Sequence, residues 1–134
     1  MRNLPLEAKV GQMMMFGFAG TSGVPQHIRH FIEEYNLGGI IIFSRNVESA
    51  AQITELNSQL QEVALNSQFG VGLFISVDQE GGSVARITRG VSIAPAQMGV
   101  GALNSRERAY EVAQVVGKEL AAMGFSINLS PCVD

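Results

Sequence analysis

Charge is scarce in this chain, and so are cysteine, proline and tryptophan. Only 16 % of its 134 residues are Asp, Glu, Lys or Arg, and the formal net charge is −3. The basic residues are scattered, which leaves no electrostatic footprint for nucleic acid. A single cysteine, Cys132, excludes an internal disulfide. No His or Cys stands at metal-ligand spacing from it, so no metal site is expected. Beside Pro131 it reads as a small buried apolar residue and not as a reactive thiol. No apolar run approaches the length of a membrane span. The opening residues, MRNLPLEAKVGQ, lack the apolar stretch of a signal peptide, and a cytoplasmic setting is the expectation. What the chain does have is apolar content, 46 % of its residues. That is enough for one domain with a real core, and it argues against disorder.

Apolar runs alternate with helical patterns. QMMMFGF, residues 12–18, reads as a first strand. Pro25 suits the first turn of a helix. Ile28, Phe31, Ile32 and Tyr35 then fall on one helical face, and Asn36 can close that helix in a left-handed conformation. GGIIIF, residues 38–43, reads as a second strand with two apolar faces, as in parallel sheets covered by helices. Ser49 and Gln52 form a capping-box pattern ahead of the stripe Ile53, Leu56, Leu60, Val63. VGLFISV, residues 71–77, reads as the third strand. After a long glycine-bearing segment, Asn104 is the expected cap of a helix with the stripe Ala109, Val112, Ala113, Val116, Leu120. Gly124 is placed to end it, and FSINLS, residues 125–130, reads as a fourth strand. Strands separated by helices predict an α/β fold with parallel pairing and right-handed crossovers. The chain stops just after an apolar strand, so the expectation is a truncated fold.

The third strand runs into SVDQEGGSVARI, residues 76–87. Asp78 and Glu80 follow the apolar run at once, Gly81 and Gly82 come next, and Arg86 stands eight residues after Asp78. In parallel α/β folds, ligands bind beyond the carboxyl ends of strands. A plain strand-ending turn is one reading, with Asp78 capping amides and the glycines supplying positive φ. A phosphate loop is disfavoured, because the G-x-G-x-x-G and G-x-x-x-x-G-K-[ST] spacings are absent and two acids would repel phosphate. A glycosidase carboxylate pair is a third reading. Asp78 and Glu80 in extended chain have Cα atoms about 6–7 Å apart, but both would line one wall, and a retaining pair must flank the scissile bond. In the fourth reading Asp78 and Arg86 grip a sugar ring. The carboxylate accepts from hydroxyls, the guanidinium donates in a fixed fork, and Glu80 turns inward to satisfy loop amides.

VDQEGGSVARI closely resembles the D-x-E-G-G-x-V-x-R signature of family 3 glycoside hydrolases, in the β-N-acetylhexosaminidase branch. KVGQMMMFGF, LGGIIIFSRNV and GKELAAMGFSINLSPCVD agree with the family in order. The resemblance implies the N-terminal half of a (β/α)8 TIM-type barrel, about four parallel strands and three main helices. Residues 1–134 would then be a partial catalytic domain. It implies retaining hydrolysis of terminal β-linked N-acetylglucosamine, for example from peptidoglycan fragments, without a cofactor. It assigns Asp78 and Arg86 to sugar binding and gives Glu80, Gly81 and Gly82 a loop-shaping role. Two departures stand out. Ser83 replaces a frequent arginine, and the family's K-H-F-P-G-H-G loop and downstream nucleophilic aspartate are not present before Asp134. His27 and His30 lack that loop and read as exposed helix residues. Asp134, ending the S-P-x-x-D stretch, reads as structural. The 134-residue chain is therefore expected to be inactive alone and prone to self-association. A non-catalytic sugar-binding module and a β-glucosidase-type member are the alternatives.

Overall fold

The computed structural model describes residues 4–132. Its centre is a four-stranded parallel sheet: β1 (Met15–Phe16), β2 (Gly39–Ile42), β3 (Phe74–Val77) and β6 (Ile127–Asn128), in the order β1-β2-β3-β6. The expected parallel α/β order is observed. The strands are shorter than the apolar runs that announced them, because each pairs only where a neighbour lies in register. β2 meets β3 along four residues, from Gly39 opposite Phe74 to Ile42 opposite Val77.

One face of the sheet is packed by helices. α2 (Gln26–Tyr35) contributes Ile28 and Ile32 to the core, and α3 (Ala50–Leu65) contributes Ile53, Leu56, Leu60 and Val63. Against them lie Ile40, Ile42, Ile75 and Val77, all fully buried. Each such side chain contributes about 1.5–3 kcal/mol over its exposed state. The opposite face is only partly covered, and its Met15 and Phe74 remain exposed.

The helix ends follow local chemistry. Asn36 closes α2 at φ 55°, as its tolerance of the left-handed region allows. The Ser49 side chain accepts from the backbone N–H of Gln52 at 3.2 Å and caps α3. The reciprocal bond of a capping box is displaced by one residue: Gln52 Oε1 accepts from the N–H of Glu48 at 2.9 Å.

α5 (Arg106–Ala122) departs from expectation in two ways. Its cap is Ser105, whose hydroxyl accepts from the N–H of Arg108, while Asn104 takes the left-handed conformation at φ 47°. Asn104 follows the short helix α4 (Gln97–Ala102) and turns the chain, so the next residue inherits the capping role. Of the expected stripe, Leu120 is buried, Val112 and Val116 are half-buried, and Ala109 and Ala113 are exposed. The first turns of α5 border a cavity of about 730 Å³ instead of packed side chains. Gly124 ends the region at φ 86°, as expected.

α1 (Leu6–Gln12) was not foreseen. It buries only Ala8 and Gly11, too few for a readable stripe. It is tied beneath the sheet by the N–H of Gly38 donating to Gly11 O at 2.9 Å. Cys132 also corrects the expectation of burial. It is exposed, because it follows the last strand onto the rim, where its backbone N–H donates to Gln97 Oε1. Asp134 lies outside the described residues. No helix among the described residues is long and apolar enough to cross a membrane.

Candidate functional site

Asp78 follows the last residue of β3, at the carboxyl end of the parallel sheet. The chain then folds back as a small hairpin, β4 (Gln79–Gly81) and β5 (Val84–Ala85), inside what the sequence presented as an irregular segment. Gln79 pairs with Ala85 and Gly81 with Val84, so Gly82 and Ser83 form the two-residue turn. Gly82 has φ 58°, the positive value needed at the first central position of a type II′ turn. Gly81 has φ 91°. A second constraint acts on the same pair. The segment around Ala94 to Ala96 lies against them, and the N–H of Gly82 donates to Ala94 O at 3.0 Å. Ser83 is exposed at the tip.

The hairpin returns Arg86 to Asp78. Arg86 Nη2 donates to Asp78 Oδ2 at 2.9 Å, and the side chains are 28 % and 20 % exposed. This is a partly buried, charge-assisted bond. Asp78 Oδ1 carries no hydrogen bond among the described residues, and neither does the buried Arg86 Nε. The pair is thus oriented but not saturated.

Glu80 does not join it. It is half-buried and borders the cavity beside α4 and α5, together with Gln97, Asn104, Arg106 and Ser130. The task expected of Glu80, satisfying loop amides, belongs to Gln79. Gln79 Oε1 accepts from the N–H of Arg86 at 2.8 Å and of Ile87 at 3.1 Å, and its Nε2 donates to Ile87 O at 2.9 Å. An amide suits this place, because its oxygen can accept from two N–H groups while its nitrogen donates to a carbonyl, which an ionised carboxylate cannot do. Asn128 of β6 completes the frame. Its Oδ1 accepts from the N–H of Gln79 at 3.0 Å and its Nδ2 donates to Gln79 O at 3.1 Å.

The neighbouring strand end is built in the same manner. Beyond β2, the fully buried Asn46 donates to Phe18 O and Gly20 O and accepts from the N–H of Phe43. Arg45 lies over the Phe43 ring at 4.4 Å and donates to Phe18 O. These residues stood in the quoted motif LGGIIIFSRNV without a separate assignment. Polar residues straight after an apolar strand were the available signal. His27 and His30 are exposed on α2, and the His30 ring meets Phe31 and Tyr35. Among the described residues no group of three or more His, Cys, Asp or Glu is gathered as a metal ion would need.

An acid–guanidinium pair at the carboxyl end of an inner parallel strand stands where parallel α/β folds, open or closed, bind ligands. The chain belongs to glycosyl hydrolase family 3: residues 5–134 match the family's N terminal domain. It is 38 % identical over 120 residues to the beta-hexosaminidase A of Pseudoalteromonas piscicida, covering 87 % of this chain and 20 % of that protein. A family 3 beta-N-acetylglucosaminidase from Paenibacillus sp. str. FPU-7 superposes with a TM-score of 0.91 at 44 % identity, over 96 % of this chain and 24 % of that one. NagZ from Neisseria gonorrhoeae, solved in complex with N-trifluoroacetyl-D-glucosamine, has a TM-score of 0.73 at 26 % identity, over 87 % of this chain and 35 % of its own. The four-stranded sheet and its helices match part of the family's TIM-barrel domain. The chain spans well under half the length of each of these relatives.

Proposed function

We propose that the chain supplies the sugar-holding wall of a retaining β-N-acetylglucosaminidase, with Asp78 and Arg86 as the two grips. The observation that carries this reading is the 2.9 Å pair at the end of β3, with Asp78 Oδ1 carrying no other hydrogen bond among the described residues. A carboxylate accepts from adjacent ring hydroxyls, and the guanidinium beside it donates to sugar oxygens. Held against each other, the two groups lose little further freedom when a sugar arrives, which favours binding. The acetylglucosaminidase name of the Paenibacillus protein and the N-trifluoroacetyl-D-glucosamine bound by the Neisseria protein support the substrate class. Muropeptide-like peptidoglycan fragments are the substrates we favour.

The acid/base and the nucleophile of this reaction would come from sequence beyond residue 134, and the 134-residue chain alone would not hydrolyse. The test is hydrolysis of a chromogenic N-acetylglucosaminide by the full-length protein. Asp78→Ala should lower kcat/KM on the order of a hundredfold or more, since hydrogen bonds to a charged group are each worth about 1.5–3 kcal/mol and more than one is lost. Unchanged kcat/KM in that variant would remove Asp78 from the site.

A further inference from the structure

We propose that Gln79 is the positioning residue of the Asp78–Arg86 pair, a latch that fixes the main chain at Arg86, and that Asn128 anchors this latch to the sheet. The inference rests on the sugar-binding reading only for what the pair holds.

The hairpin between the two charged residues is too small to place Arg86 unaided. It has two pairing positions, with an irregularity between Gln79 and Gly81. A two-stranded hairpin is marginal without further packing. The guanidinium has little else to direct it, because Arg86 Nε is buried without a hydrogen-bond partner. Its direction therefore follows from where the backbone sets its Cα and from the single bond to Asp78.

Gln79 sets that backbone. One oxygen accepts from both Arg86 N–H and Ile87 N–H, and the amide nitrogen closes onto Ile87 O. The side chain acts as an additional rung, placed where main-chain pairing ends. The rung needs a fixed origin, and Asn128 grips both the N–H and the C=O of Gln79. β6 pairs with β3 at Ser76 and Val77, just before Asp78. Strand, latch and both charged residues thus form one connected frame.

The test is NMR on the isotope-labelled full-length protein, reading hydrogen exchange at the Arg86 Nε–H. Gln79→Met preserves bulk and removes every hydrogen bond of the side chain. Exchange at Arg86 should rise about tenfold, while amide shifts in α2 and α3 stay in place. Asn128→Ala should raise it about threefold through the freed Gln79 backbone. Wild-type exchange in Gln79→Met would overturn the proposal, since bulk alone would then hold Arg86. If Gln79→Met does not fold, Asn128→Ala decides: unaltered Arg86 exchange there overturns it equally. Titration with N-acetylglucosamine reads the separate question. If the sugar shifts no resonance near Asp78 while Arg86 exchange still follows Gln79, the latch stands and the sugar-binding reading falls.

Discussion

Gly82 shows how tightly single residues are fixed around the site. A Cβ built there would lie 2.7 Å from the Ala96 Cβ, on a backbone already at φ 58°. Both effects oppose any side chain. Gly82→Ala is expected to destabilise the fold by about 1–3 kcal/mol, visible as a lower Tm and a shifted urea midpoint. Asp78 and Arg86 were legible in the sequence, because charges that interrupt a buried strand call for a reason and their spacing matched a known signature. Gln79 was not legible. An amide between two acids looks like filler until the turn brings the N–H groups of Arg86 and Ile87 to it. Glu80 was given the inward role because carboxylates accept strongly, yet a residue that must also donate to Ile87 O cannot be a carboxylate.

At the scale of elements, periodicity and caps carried most of the information. α3 is the clear case: a Ser49 cap and a four-residue stripe, all of it buried. Ser49→Ala should cost about 1 kcal/mol of stability in a thermal melt. Ile75 is fully buried in the core between sheet and helices, so Ile75→Ala should cost about 2–5 kcal/mol by denaturant titration. The short elements escaped. α1 and α4 bury too little to leave a pattern, and a seven-residue hairpin reads as loop when its middle is glycine. The α5 stripe was correctly helical, but periodicity says which residues share a face and not whether anything covers it. Adjacent Asn104 and Ser105 are both good caps, and only the path of the chain out of α4 chooses between them.

For the whole molecule, the uncovered surfaces matter most. β1 and β6 are the edges of the sheet, and edge strands present unpaired backbone groups. Leu6, Val10 and Met14 are exposed beside one edge, and the apolar α5 cavity opens near the other. By itself the 134-residue chain should associate reversibly, with sedimentation coefficients rising through the micromolar range. A monomer with one sharp thermal transition would count against this. The parallel order of the sheet could be read from alternating patterns alone. The barrel could not, because closure depends on pairing partners that no local pattern encodes; it came from the resemblance.

The frame at the site also has a chemical lifetime. Asn128 meets Gln79 with an oxygen that accepts and a nitrogen that donates, and the shape of the residue alone does not secure that arrangement. Hydrolysis of its amide to aspartate would replace the nitrogen with oxygen and leave the outline of the side chain almost unchanged. Two oxygens would then face each other across the 3.1 Å now spanned by a hydrogen bond. A protein aged in this way would keep its fold and its charged pair while losing the anchor between β6 and the hairpin.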